Sequence, residues 1–230
     1  MALVIVQKVT KQLTSGTTPT STILFTTTPV VGNLIVAMSG SSGNTGVNTG
    51  WTAIDNTLGT NYRMISAYRV VLAGDTTTIT PFTSGTANSY NATAWEVSGA
   101  LSTGLINGHS VIVNVTTATV TVSSVTPTVA NCLGLLFMAT DNSPVPTVTT
   151  SPVGFISDAL VGEPSGVLRQ FVYSGHKALL VSGTAYAPAI TWSQVDANGS
   201  DAAFVVIAPS PATPYTTNTP QNIFALGLFR

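Results

Sequence analysis

The sequence predicts an all-β protein, a two-sheet sandwich with no long helix. Three observations predict it. Short apolar, β-branched runs recur along the 230 residues; clusters of Gly, Pro, Asn and Ser separate them; and the order of the runs repeats once. Strands at such spacing are the pattern of sandwiches and barrels. A chain of this length buries roughly 70% of its unfolded surface, so a core can form with neither disulfide nor metal.

The runs come in order. Leu34-Ile35-Val36-Ala37-Met38 is continuous and apolar, as a strand buried on both faces requires. Ile65 to Val70 mixes apolar and polar positions. Val111 to Val115 and Thr119 to Val122 are β-branched and close enough to pair, and Phe204 to Ile207 is a late buried strand. The best helical candidate, Asp158 to Gln170, is broken by Gly162, Pro164 and Gly166.

The repeat is the most informative pattern. Pro29-Val30-Val31-Gly32-Asn33 leads into a buried strand, and Pro127-Thr128-Val129-Ala130-Asn131 does so 98 residues later. Gly50-Trp51-Thr52-Ala53-Ile54-Asp55 pairs with Gly154-Phe155-Ile156-Ser157-Asp158, and Ile65 to Val70 with Leu168 to Tyr173. Ala94-Trp95-Glu96-Val97 pairs with Ala203-Phe204-Val205-Val206. Two separate four-stranded domains would leave thin cores and long exposed edges. Merging the halves into an eight-stranded, two-sheet jelly-roll sandwich buries both inner faces. The expected organisation is an extended N-terminal arm over residues 1–20 and a jelly-roll domain over 21–209. Its halves lie at about 21–99 and 118–209, with Gly99 to Val122 crossing between them. A Pro- and Thr-rich C-terminal arm covers 210–230. That arm ends in the apolar stretch Ile223, Phe224, Leu226, Leu228 and Phe229, which either folds back on its own sandwich or docks on a partner subunit.

Charge is unusually scarce. Only 7% of residues are charged and the net charge is −1, against about 25% charged in ordinary soluble domains. The seven Lys and Arg form no stripe, which argues against nucleic-acid binding and anionic membranes. Threonine, at 38 residues, partly replaces charge and suits a solvent-facing strand. A surface with so little electrostatic repulsion is tolerable where partner subunits cover it. No run reaches the roughly 18 apolar residues of a membrane span. The N-terminal apolar run is short and lacks a basic lead, so the reading is synthesis in a host cytoplasm without a signal peptide.

Chemistry is sparse. His109 and His176 lie in Gly-containing segments that read as a loop and a turn, where surface histidine is the expectation. No Gly-x-Ser-x-Gly elbow occurs, and two His and one Cys far apart are weak evidence for a zinc site. Most acids, including Asp55, Asp75, Asp141, Asp158, Asp196 and Asp201, read as turn residues. Glu96 sits inside a strand, where alternation turns it to solvent if Trp95 is core. Asp196 to Asp201 lacks the spacing of a calcium loop. Cys132, in an apolar run, reads as a buried thiol. Trp51, Trp95 and Trp192 read as core, with sugar stacking the competing role. No catalytic, cofactor or metal residue is therefore expected, and the only candidate docking residues are the five of the C-terminal arm.

The motifs Pro29 to Met38, Gly50-Trp51-Thr52, Tyr68-Arg69-Val70, Ala73-Gly74-Asp75 and Trp95-Glu96-Val97-Ser98-Gly99, with Phe204 to Ile207 in the second half, resemble a family of jelly-roll domains in tailed-bacteriophage structural proteins. The resemblance spans about residues 20–209 and leaves out both arms. It implies a non-enzymatic virion structural protein, a capsid decoration or a tail or fibre subunit. The implied partners are capsid or tail subunits and further copies of the chain. The alternative is a module that adheres to a host-surface glycan. Fold likeness alone does not choose among these roles.

Overall fold

The computed structural model describes residues 2–13, 22–41, 44–59, 63–84, 90–101, 103–141, 146–162, 170–196 and 199–211. Every regular element among them is a strand. The first nine are β1 (Val4–Leu13), β2 (Ile23–Leu24), β3 (Leu34–Ser41), β4 (Asn44–Val47), β5 (Thr52–Leu58), β6 (Arg63–Val70), β7 (Thr78–Ile79), β8 (Phe82–Ser84) and β9 (Tyr90–Ser98). The next eight are β10 (Ile106–Val115), β11 (Thr119–Thr121), β12 (Cys132–Asp141), β13 (Val148–Thr150), β14 (Ile156–Gly162), β15 (Gln170–Leu180), β16 (Ala189–Trp192) and β17 (Ser200–Ile207).

Each half builds one five-stranded antiparallel sheet, in the orders β1-β9-β3-β6-β5 and β10-β17-β12-β15-β14. The two orders correspond strand for strand. The halves are therefore two versions of one design, as the sequence repeat implies. The sheets stack face to face with reversed lateral order: β1 lies by β14, β9 by β15, β3 by β12, β6 by β17 and β5 by β10. Small sheets flank this sandwich. β2-β7 and β4-β8 belong to the first half and β11-β16-β13 to the second.

The apolar pattern explains the layering. In β3, Leu34, Val36 and Met38 face the central core, while Ile35 and Ala37 face an outer core shared with Ile23, Phe25, Ile79 and Phe82. In β12, Leu133, Leu135 and Phe137 face the centre; Leu136 and Met138 face a second outer core containing Val120, Ile190 and Trp192. Strands buried on both faces cannot alternate apolar with polar residues, which is why β3, β12 and β17 read as unbroken hydrophobic runs. The sheets approach closely at Gly40, where a Cβ would stand 2.7 Å from that of Ala139. Glycine lets the two central strands touch there.

The strands of both sheets start and stop together at one end. An isolated bridge joins Ala100 to Pro209, and Ser210 N donates to Gly99 O at 2.6 Å, so β9 and β17 finish side by side. β3 and β12 run antiparallel to them and begin at that same end.

The structure corrects several expectations. Residues 4–13 of the expected N-terminal arm are strand β1, hydrogen-bonded to β9 from Val4 through Leu13. The expected crossing segment contains β10, the counterpart of β1, so the second half begins near Ile106 and not at 118. Seventeen strands are described where the apolar runs alone imply eight; the threonine-rich edge and outer strands carry too little hydrophobic signal to be counted. The repeat is also displaced by one residue at its end. Trp95 stands opposite Val36 and Val205 opposite Leu135, which makes Val205, not Phe204, the partner of Trp95. This is why Trp95 fills the central core while Phe204 points to an outer one. Of the expected C-terminal arm, only Ser210 and Pro211 are described; Ile223, Phe224, Leu226, Leu228 and Phe229 lie outside the described residues.

Candidate functional site

The chemistry-bearing side chains gather where the edges of the two sheets meet. At the β1/β14 edge, three groups converge on Asp158. Lys8 Nζ and His176 Nδ1 both reach Oδ1, the imidazole at 2.7 Å, and Trp95 Nε1 donates to Oδ2 at 2.7 Å. The carboxylate is only 1% exposed. Two β-bulges produce the convergence, one between Ile5 and Gln7 and one between Ser157 and Ala159. A bulge inserts a residue and resets the alternation. Burial pushes the Asp158 carboxyl up, but the bonds from His176, Lys8 and Trp95 outweigh it and hold it below the usual carboxylate range.

The opposite edge repeats the motif. His109 Nδ1, on β10, meets Asp55 Oδ1, on β5, at 2.8 Å, and Ser66 Oγ donates to Asp55 Oδ2 at 3.1 Å. A bulge between Ala53 and Asp55 sits beside this pair too. Lys8 pairs with Trp95 and His109 with Val205, so Lys8 and His109 occupy equivalent places. The first strand of each half thus carries a nitrogen-bearing side chain to a carboxylate on the far edge strand of the other half's sheet, β5 or β14. The two junctions clasp the halves together on both flanks.

His176 and Lys8 also border an open groove of about 420 Å³, lined otherwise by Leu3 to Gln7, Leu133 and Ala178. An Asp–His pair beside a groove is half of a general-base arrangement. The other half, a hydroxyl or thiol nucleophile, is missing from the groove's described lining, which is mainly aliphatic. What the cluster does chemically is hold a buried negative charge between neighbouring donors.

Other sequence candidates fall as follows. His109 and His176 are in strands β10 and β15, not in a loop and a turn, and Asp55, Asp158 and Asp201 are likewise strand residues. Glu96 is buried, contrary to its expected solvent-facing position. It accepts from Val30 N at 2.8 Å, Asn33 Nδ2 at 2.6 Å and Gln7 Nε2 at 2.6 Å, and so ties the Pro29–Asn33 turn to β9 and β1. Trp95 and Trp192 are buried; Trp51 is half-buried with Arg69 stacked on its ring at 5.1 Å. Burial pushes the Cys132 thiol up, and its Sγ bonds Val129 O at 3.3 Å. Asp196 and Asp201 are buried near each other; Asp196 accepts from Thr140 Oγ1 at 2.7 Å and Asp201 from Asn114 N at 2.8 Å. Among the described residues no three His, Cys, Asp or Glu come together as a metal-binding group. No described helix is long and apolar enough to cross a membrane.

The signal that could have found the two clasps was in the repeat itself. Asp55 and Asp158 recur after matched Gly-aromatic turns, and a recurring acid in a strand needs a partner. The partners come from the other half, at positions no local pattern marks. No family model, curated protein or solved structure matches this chain.

Proposed function

We propose that this is a non-enzymatic structural protein of a bacteriophage particle, a capsid decoration or tail-associated subunit that assembles with virion proteins and with copies of itself. The observation that carries the reading is the duplicated strand order. In each half the first strand neighbours the last, followed by the third and the sixth; in the second half the second and fourth strands both pair with the seventh (β11-β16-β13), while in the first half β2 pairs with β7 and β4 with β8 in separate small sheets. This order supports reading the fold as a jelly roll, an architecture shared by viral capsid and lectin domains. On this reading each half is its own jelly roll, with its fifth strand drawn across to the sixth. The scarcity of charge supports an assembled state, since partner subunits would cover a surface that repulsion does not protect. The protein would be made in the host cytoplasm and carried in the virion. The test is removal of the gene from the virus. Particles lacking the protein are expected to lose infectivity or break at a lower temperature; particles unchanged in both would refute the role.

A second reading, adhesion to a host-surface glycan, is favoured by one feature. A groove of about 290 Å³ on the second half is lined by Tyr186, Phe155, Lys177, Thr150 and Thr191, which mixes aromatic surface with hydroxyls and a cation. Trp192 is buried and so unsuited to stack on sugar. Glycan-array binding lost with Lys177→Ala at unchanged stability would support this reading, and no binding to any glycan would remove it.

A further inference from the structure

One end of the sandwich is unusually apolar, and the chain leaves the described body there. The turns before β3 and β12 and those after β6 and β15 all lie at the end where β9 and β17 finish. Within these turns Val30, Val31, Leu72, Val129 and Val181 are 41 to 64% exposed. They come from both halves at matching places. Backbone bonds fix them in pairs of turns: Gly32 N donates to Val71 O at 3.0 Å, and Gly183 N to Pro127 O at 2.9 Å. Nearby charge is self-neutralised, with Arg69 Nη2 2.7 Å from Asp75 Oδ1. Rigid, apolar, charge-poor patches of this kind mark interaction surfaces.

The last described residues lie at this end, since Pro209 and Ser210 are bonded to Ala100 and Gly99. Ala212 to Asn222 form an 11-residue spacer containing Pro214 and Pro220, followed by Ile223-Phe224-Ala225-Leu226-Gly227-Leu228-Phe229. A proline-rich spacer of that length reaches about 34 Å when extended. A five-stranded sheet is only about 19 Å wide. A spacer of that length is therefore long enough to carry the apolar segment past its own end onto an adjacent molecule.

We propose that segment 223–229 of one copy docks on the apolar end of a second copy, around Val31, Val129 and Val181, and that two copies exchange segments reciprocally. This rests on the assembly reading above and names its partner and its contact. A two-fold exchange closes on itself and leaves neither apolar surface open.

The test is sedimentation equilibrium on the full chain and two full-length variants. One carries Val31→Asp, Val129→Asp and Val181→Asp; the other carries Phe224→Asp and Leu228→Asp. The unaltered chain is expected to dimerise, and each variant to associate at least tenfold more weakly with an unchanged circular dichroism spectrum. Mixed in equal amounts, the two variants should form a one-to-one complex weaker than the unaltered dimer, because the intact segment of the first still meets the intact surface of the second and restores one of the two exchanged contacts. An unaltered chain that stays monomeric at about 100 μM, variants that dimerise like it, or a mixture that forms no complex would each overturn the exchange. The first of these results would instead be that expected of a segment docked on its own end. The virion role stands or falls separately: the protein can be found on particles with no exchange, and exchange can occur in a protein that never enters a particle.

Discussion

Asp201 should make this protein less stable as pH rises, and Asp201→Asn should remove that effect. Its carboxyl is 2% exposed, on β17. Burial pushes it up, the Asn114 N–H pulls it down, and the charge of Asp196 raises it again, to about 7 from 3.8. The folded protein thus keeps a proton that the unfolded chain loses. Between about pH 4 and 7 the folded state binds more protons, so stability falls with rising pH by about 1.4 kcal/mol per unit. Over roughly three units the loss is on the order of 4 kcal/mol. Asparagine mimics the protonated acid, with an oxygen for Asn114 N and an N–H where the proton was. Urea unfolding followed by tryptophan fluorescence at pH 4.5, 6 and 8 measures this, because Trp95 and Trp192 are buried. Groups remote from Asp201 contribute equally to both proteins and drop out of the difference. The two proteins should agree within about 1 kcal/mol at pH 4.5, with the variant more stable by several at pH 8. A variant no more stable than wild type at pH 8 would refute the reasoning.

Asp158→Ala should destabilise by about 3–5 kcal/mol, since it strands the buried Trp95 Nε1 and breaks the clasp. Lys8→Met should cost only about 1 kcal/mol or less, because Lys8 is 39% exposed; equal costs would contradict this. Because the folded Asp158 carboxyl is held low, its contribution is present above about pH 4 and lost as pH falls through its folded value. The stability deficit of Asp158→Ala should therefore shrink in acid. Gly40→Val should cost about 1–3 kcal/mol by forcing the sheets apart at Ala139, measurable as a lower urea midpoint with an unchanged slope. Cys132 should react with a thiol reagent only as fast as the protein unfolds; rapid labelling under native conditions would contradict its burial.

The sequence made the central strands legible and the sheet edges nearly invisible. β3, β12 and β17 are hydrophobic on both faces, so their patterns announce burial without any knowledge of the partner strand. β1 and β10 alternate Val and Ile with Gln, Lys, His and Asn, and each begins beyond the boundary that the core pattern suggests. A paired edge strand with polar outward residues looks like an extended arm until its partner is known. The clasps were hidden for a related reason. A strand bulge displaces every residue after it by one, so strict alternation puts Lys8 and Asp158 on the wrong faces. Glu96 misled differently. Alternation rightly placed it opposite Trp95, but the outer face of β9 is covered by the Pro29–Asn33 turn and Gln7, so that face is buried as well.

The proposed role makes this duplicated sandwich a fixed part of a virus particle. Electron microscopy of purified particles, labelled with gold-tagged antibody against the protein, tests it most directly. Gold should sit at a constant place on intact particles, over the head for a decoration or along the tail for a tail subunit. Particles that carry no label, from infected cells that contain the protein in abundance, would contradict the claim.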